Sequence, residues 1–219
     1  MLSIFSRVHL TRLLLLAAPF VLMAPSQETP WVFKNSKDGV KVYYRKTQGV
    51  HEVKLISSIQ TSLTGLMALF MEVETYKTWS YKLLESKVVQ KISDTEMTYY
   101  SHYDLPWPLN DRDIIMHTVF QQDPVTKTII INSVAAPDEL PEKAGIVRIK
   151  DAKTTWTILP GTDGWAYTEY YIYTDPGGSV PDWLLNMTID LGPRETIKGI
   201  RKQVKKAEYQ QAKVPYFVN

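Results

Sequence analysis

The side chains that most often perform catalysis are scarce in this sequence, and their spacing matches no common catalytic motif. Beyond the N-terminal region the histidines are His51, His102 and His117, and no two of them have the His-x-x-x-His spacing of a metal site. The chain contains no cysteine, which excludes disulfides and thiol chemistry. No serine lies in a Gly-x-Ser-x-Gly turn, and Gly177-Gly178 lacks the third glycine of a dinucleotide-binding loop. We therefore expect no metal, no cofactor and no enzymatic activity.

One acid–base pair remains conceivable. His102 and Asp104 alternate along a predicted strand, so they share one of its faces. They could exchange a proton with a bound molecule only if that face lined a cavity. The alternative is a histidine on the protein surface.

Arg112 is the charged residue whose surroundings most need an explanation. Alternation along its strand places it on the same face as the mostly apolar set Ile114, Met116, Thr118 and Phe120. An unpaired charge on such a face is costly, so Arg112 must find a partner, water or a ligand there. The alternative is that Arg112 lies at the mouth of the strand and pairs with Asp111 or Asp113 to hold the fold.

These residues belong to a series of predicted strands that precede one long helix. The strands cover Gly39–Lys46, His51–Gln60, Leu83–Ile92, Glu96–Tyr103, Asp113–Gln122, Thr128–Val134, Gly145–Leu159 and Trp165–Thr174. A short helix follows the second strand, with the apolar stripe Leu63, Leu66, Met67, Phe70 and Met71. The terminal helix begins near Val180, and Gly192-Pro193 should break or kink it. Strands grouped apart from helices predict an α+β fold, with one curved antiparallel sheet wrapped around the long C-terminal helix.

The last strand has one face suited to the interior. Ala166, Thr168, Tyr170 and Ile172 share this face, and Glu169 marks the opposite one as the solvent side. We expect Tyr170 and Ile172 to line a cavity, although a closed core is an equal alternative for either residue.

The N-terminal residues resemble a secretory signal. Arg7 and Arg12 precede an apolar run from Leu13 to Met23, and small residues follow it. This run is short for a membrane span, although an uncleaved anchor is an alternative. We predict a signal peptide over 1–26 and a single domain over 27–219, exported to a Gram-negative periplasm or else secreted.

The charge balance argues against nucleic acid as a partner. Removing Arg7 and Arg12 from the 25 basic residues leaves 23, which equals the 23 acidic ones. Nucleic-acid-binding domains usually show a clear basic excess. We expect a neutral exported protein, and a monomer.

Three motifs together resemble the StAR-related lipid-transfer (START) domain family. They are Leu105-Pro106-Trp107-Pro108, then Asp111-Arg112-Asp113 entering a strand, then Asp175-Pro176-Gly177-Gly178-Ser179-Val180-Pro181-Asp182-Trp183 entering the last helix. The resemblance extends over about Trp31 to Tyr209. It implies a helix-grip fold with an internal tunnel for a lipid or another apolar molecule. Distant relatives with this fold are aromatase/cyclases, so a cyclase-like enzyme is one alternative, and a ligand-sensing module that delivers its cargo to a protein partner is another.

The resemblance also implies the residues that would contact the ligand. Glu85 matches a glutamate that meets the arginine, here Arg112, inside the tunnel of sterol-binding relatives. We expect the remaining ligand contacts to come from Met116, Trp156, Tyr170, Ile172, Trp183, Met187 and Leu191. The last three would form a lid on the terminal helix, and entry would require this lid or the loop Pro137–Pro141 to open.

A basic surface is predicted on the terminal helix. Its members are Lys198, Arg201, Lys202 and Lys205. This surface could contact anionic membranes transiently, where each basic residue adds about 1 kcal/mol. The alternative is a solvated helix face with cations placed favourably near its C-terminus.

Overall fold

The sheet dominates the structure. The computed structural model describes residues 29–47, 49–178, 181 and 187–219. Within them, ten strands form one sheet: β1 Val32–Lys37, β2 Val40–Thr47, β3 Val50–Gln60, β4 Leu83–Ser93, β5 Glu96–Tyr103, β6 Arg112–Gln122, β7 Ile129–Ala135, β8 Val147–Arg148, β9 Asp151–Pro160 and β10 Trp165–Asp175. The spatial order is β1-β2-β3-β10-β9-β7-β6-β5-β4, all antiparallel, and β8 pairs parallel with β6.

Helical segments connect the strands and pack against the sheet. They are α1 Leu63–Met71, 3-10 helices at Val73–Thr78 and Pro137–Glu139, a π-helical turn at Met187–Leu191, α2 Gly192–Gln203 and α3 Ala207–Gln210. The side chain of Ser62 caps α1 by accepting a hydrogen bond from the Gly65 N–H at 3.0 Å. The predicted α+β helix-grip arrangement of a curved antiparallel sheet and a C-terminal helix is confirmed.

The core forms where α1 and α2 meet the sheet. Ile197 and Ile200 of α2 are fully buried, as are Leu66 and Met67 of α1. Gly199 allows a very close approach, because a Cβ atom added there would lie 2.1 Å from the carbonyl oxygen of Trp79. Only glycine therefore fits at this crossing without a shift of the backbone.

The start of α2 is tied to the first two strands. Asp190 accepts hydrogen bonds from Arg194 and from the Asn35 amide, the latter at 2.7 Å. Arg194 also donates to the backbone carbonyls of Lys37 at 2.8 Å and Val40 at 3.3 Å. Burial opposes ionisation of Asp190, but these hydrogen bonds outweigh it and lower the pKa of its carboxyl. The network fixes the end of α2 that faces the cavity described below.

Two features of the fold differ from the sequence-based expectation. The strand β1 was not predicted, because Lys34 to Lys37 are all polar and an edge strand exposed on both faces shows no alternation. The predicted strand Gly145–Leu159 is divided, because the chain leaves β6 after Arg148 and then begins β9 at Asp151 between β7 and β10. The predicted break at Gly192-Pro193 takes the form of a π-helical turn directly before it, and the proline lies in the first turn of α2.

Candidate functional site

A cavity of about 530 Å³ lies between the inner face of the sheet and the start of α2. Its volume falls within the range of about 300–1,000 Å³ that is typical of small-molecule sites. The predicted inward face of β6 contributes Arg112, Ile114, Met116, Thr118 and Phe120 to the wall. The alternation that begins at Arg112 therefore sets one wall of the cavity.

Five of the predicted ligand contacts lie in this wall. They are Arg112, Met116, Trp156, Tyr170 and Ile172. Trp156 and Tyr170 are direct neighbours on β9 and β10, and their rings stack with centroids 4.0 Å apart and planes 11° apart. The stack fixes the orientation of both rings. Contact of these side chains with a ligand stays a prediction.

Arg112 lies in the cavity wall where β6 begins, and only 5% of its surface is exposed. Its guanidinium donates hydrogen bonds to the backbone carbonyls of Asn110 at 2.5 Å, Pro176 at 3.0 Å and Gly177 at 3.4 Å. Burial lowers its pKa. Arg112 therefore joins the start of β6 to the segment that follows β10, and it forms no ion pair with the residues that the structure describes.

The carboxylates beside Arg112 in the sequence have other partners. Asp111 lies 2.8 Å from Nε2 of His102 and also accepts a hydrogen bond from the Leu105 N–H. Asp113 forms a buried ion pair with Arg148. The alternative prediction, in which Arg112 pairs with Asp111 or Asp113, is therefore wrong.

The acid–base pair of His102 and Asp104 does not form. Asp104 pairs instead with Lys82, whose Nζ lies 2.6 Å from its carboxylate.

The predicted pairing of Glu85 with Arg112 is also wrong. Glu85 is 42% exposed, and its carboxylate lies 3.0 Å from Nζ of Lys87 and 3.8 Å from Nζ of Lys143. The hydrogen bond from Lys87 is the main reason that its pKa is lowered. A β-bulge explains the position: the register shifts after Leu83, so Glu85 lies opposite His102 on the outer face. A regular ladder would have placed it opposite Ser101, on the inner face.

The predicted lid residues fall in three different situations. Trp183 lies outside the described residues, and Met187 begins the π-helical turn, although its side chain is not among those described. Leu191 is 42% exposed and does not line the cavity, which corrects the prediction. The wall is formed instead by Ile189, Gly192, Pro193 and Thr196. A π-helical turn holds more residues than an α-helical turn, so positions extrapolated across it with a period of 3.6 rotate to another face.

The predicted basic surface is smaller than expected. Arg201 is not free for a membrane, because its guanidinium donates to the backbone carbonyls of Ser58, Asp38 and Gly39. Lys198 pairs with Asp38 and Glu195, each at 2.9 Å. Lys202 and Lys205 remain as exposed members of the predicted set. Lys202 lies six residues beyond Thr196, the last residue of α2 in the cavity wall, or about 9 Å along the helix from the cavity.

Several tyrosines in the cavity wall were missed as site residues. Among them are Tyr76, Tyr99 and Tyr103. The sequence pattern could have identified two of them, because Tyr99 and Tyr103 alternate with Met97 and Ser101 on one face of β5. In the structure Tyr103 lies directly opposite Arg112. Burial raises the pKa of all three phenols. The hydroxyls of Thr118 and Ser133 join them in the wall, 2.8 Å apart.

Two other kinds of site were sought in the described part of the chain. None of its clusters of histidine and acidic side chains has the three members that could hold a metal ion. None of its helices combines the length and apolar character that are needed to cross a bilayer.

Comparison with known proteins places the cavity in a family context. A family model described as START domain matches residues 13–213. An uncharacterized protein of Pseudomonas aeruginosa is 30% identical over 194 residues, covering 88% of this chain and 95% of that protein. The phosphatidylcholine transfer protein of Mus musculus is 25% identical over 179 residues, covering 78% of this chain and 82% of its own. Among solved structures, a STAR-related lipid transfer protein fragment from Xanthomonas axonopodis is 29% identical and superposes with a TM-score of 0.73, covering 80% of this chain and 99% of that one.

Proposed function

We propose that this chain, which belongs to the START domain family of lipid-binding and lipid-transferring proteins, holds one lipid in its cavity and carries it between membranes. The observation that supports the proposal is the cavity of about 530 Å³, whose wall combines apolar side chains such as Ile114, Met116 and Ile131 with a few polar ones. START lipid-transfer proteins are typically not enzymes. We propose the same for this chain.

An enclosed cavity is what a carrier requires. Removing an acyl chain from a bilayer forfeits about 0.8 kcal/mol for each methylene group. A long chain therefore needs replacement burial on the order of 10 kcal/mol, which an open groove would not supply. Walls on the sheet side and on the α2 side can surround the chain.

Native mass spectrometry tests the proposal directly. We expect the protein, purified without detergent or after incubation with a lipid extract, to carry one lipid molecule. The mass of that lipid would identify it, and recovery of the lipid in unaltered form would support carriage over catalysis. Only ligand-free protein after the incubation would contradict the proposal.

The same measurement on Arg112→Met tests whether the guanidinium of Arg112 selects the lipid. If the variant bound the same mixture of lipids as the wild-type protein, Arg112 would have a purely structural role.

We propose further that the cavity opens toward the membrane through the loop between β5 and β6. Trp107 in this loop is 91% exposed, whereas Leu105, two residues earlier, lines the cavity. Tryptophan favours the interface between water and lipid. Lys202 and Lys205 lie toward the other end of α2, so we assign them at most a secondary electrostatic attraction to the membrane.

Replacing Trp107 with alanine is expected to weaken binding to phosphatidylcholine vesicles about tenfold, because the interfacial contact of one large aromatic side chain is lost. Flotation of the protein with vesicles measures this, and the amount of co-purified lipid should not change. Trp165→Ala is the matched control, because Trp165 is 39% exposed at the start of β10 and does not line the cavity. Equal losses in both variants would contradict a specific contact at the mouth.

The compartment is also a proposal. The basic and apolar order of the N-terminal residues supports export to a periplasm or secretion. Fractionation of cells that express the full chain would test this, and retention of the whole pool in the cytosol would contradict it.

A further inference from the structure

Tyrosine side chains line the cavity from strands that are distant within the sheet. Tyr99 and Tyr103 belong to β5 and Tyr170 belongs to β10, with β9, β7 and β6 between them. Four steps of about 4.8 Å separate β5 from β10 along the sheet. All three side chains nevertheless line the same cavity. The curvature of the sheet therefore brings these side chains toward one another across the cavity.

The hydroxyl of Tyr170 has no hydrogen-bond partner among the described residues. Tyr76 donates to the backbone carbonyl of Phe70, which satisfies its hydroxyl within the protein. The hydroxyl of Tyr99 has Thr118 and Ser133 beside it, and that of Tyr103 has Ser80. No described residue forms a hydrogen bond with the hydroxyl of Tyr170, although the stack on Trp156 holds its ring in one orientation.

The position of Tyr170 shows that its accessible surface belongs to the cavity. The residue lies on the inner face of β10, between β3 and β9, and it lines the cavity. Burial is the main reason that its pKa is raised. A ligand that fills the cavity expels water from this hydroxyl, and an unsatisfied buried hydroxyl costs about 1–3 kcal/mol. The ligand must therefore offer an acceptor at this point.

We propose that Tyr170, with Tyr103 and Tyr99 near it, forms a hydrogen-bonding site for an uncharged carbonyl oxygen of the bound lipid, such as that of an ester or amide. An uncharged acceptor is favoured because the charged residues of the wall, among them Lys82, Asp104, Arg112 and Asp175, lie at the ends of strands or in the segments that adjoin them, whereas Tyr170 lies in the middle of β10. This inference rests on the proposed function and specifies which part of the lipid enters the cavity. Tyr103 lies directly opposite Arg112, but the guanidinium of Arg112 is engaged by backbone carbonyls where β6 begins, so Tyr170 is the centre of the site.

Matched lipids test the site. A diacyl phospholipid carries ester carbonyls, whereas the dialkyl ether lipid with the same head group and chain lengths has none. We expect the wild-type protein to bind the ester lipid at least about fivefold more tightly, as the net value of one or two hydrogen bonds implies. We expect Tyr170→Phe to reduce this preference to less than about twofold, because the variant removes one hydroxyl and keeps the ring stack.

Tyr167→Phe is the matched control, because Tyr167 lies on the outer face of the same strand and is 50% exposed. It should leave the ester preference unchanged. Tyr99→Phe provides a second cavity variant and should also reduce the preference. Equal binding of both lipids by the wild-type protein, or an equal loss for both lipids in Tyr170→Phe, would overturn the carbonyl site and leave the carrier proposal intact. Binding of neither lipid would overturn both.

Discussion

Replacing Arg148 with methionine is expected to lower the free energy of unfolding by about 3–5 kcal/mol, the usual cost of removing one partner of a buried ion pair. Arg148 donates to both carboxylate oxygens of Asp113, at 2.7 and 3.0 Å, and each side chain is only 1% exposed. Methionine fills a similar volume but leaves the Asp113 carboxylate buried without its counter-charge. Chemical denaturation followed by circular dichroism measures the change.

The same substitution should loosen the loop that contains Pro137 and Pro141. Arg148 also donates to three backbone carbonyls of this loop, those of Pro137 at 2.6 Å, Leu140 at 2.9 Å and Pro141 at 3.3 Å. These bonds make the loop poorly suited to open for ligand entry, which was one of two predicted routes. Faster hydrogen exchange across residues 137–141 in the variant would support this role.

Lys150→Met is the control for Arg148→Met. Lys150 pairs with Glu142 at the surface, where its side chain is 66% exposed, and such a pair contributes at most about 1 kcal/mol. A loss below about 1 kcal/mol for Arg148→Met would contradict the ion-pair argument. Replacing Arg148 and Asp113 together by apolar residues should recover much of the stability, because no buried charge then remains.

Filling the cavity is expected to abolish lipid binding without unfolding the protein. Thr154 lies on the inner face of β9 between Ser133 and Ile172, lines the cavity, and forms no side-chain hydrogen bond among the described residues. Thr154→Trp projects an indole into the space that the lipid needs, and tryptophan is well tolerated in strands. We expect at least tenfold less bound lipid by native mass spectrometry, with a stability loss of about 1–3 kcal/mol from local overpacking.

Thr157→Trp separates this effect from the general cost of a large residue in β9. Thr157 lies on the outer face of the same strand, opposite Ile130 and Glu169, so its indole would point away from the cavity. It should retain wild-type lipid binding. If Thr154→Trp folded and bound lipid at the wild-type level, the cavity would not be the binding site.

The strand pattern of the fold could be predicted because alternation is a local property. Strands β5, β6 and β10 agree with their predicted bounds to within one residue. The strand β1 could not be found in this way, because its exposed polar residues gain their order only by pairing with β2. The division of the predicted strand into β8 and β9 could not be predicted either, because it depends on the pairing of Val147 and Arg148 with the start of β6.

The residues of the cavity wall could be predicted where they lie on regular strands. Met116, Trp156, Tyr170 and Ile172 were found because each lies on a regular strand whose two faces differ in character. Glu85 was misplaced because a β-bulge transfers it to the outer face, and no pattern in the sequence marks this bulge. Leu191 was misplaced because a π-helical turn changes the period of the terminal helix.

The sequence alone determined which strands form and which of their faces is apolar. It also showed that the chain lacks the motifs of common enzymes. Resemblance added the helix-grip arrangement. Tertiary structure decided the partners of the charged groups. Arg112 bonds to three backbone carbonyls, Asp113 pairs with Arg148, and Arg201 bonds to carbonyls just before β2 and within β3. The physical reason is that a buried charge is satisfied by whatever polar atom the packed backbone brings within about 3 Å, and residues far apart in the chain supply most of these atoms.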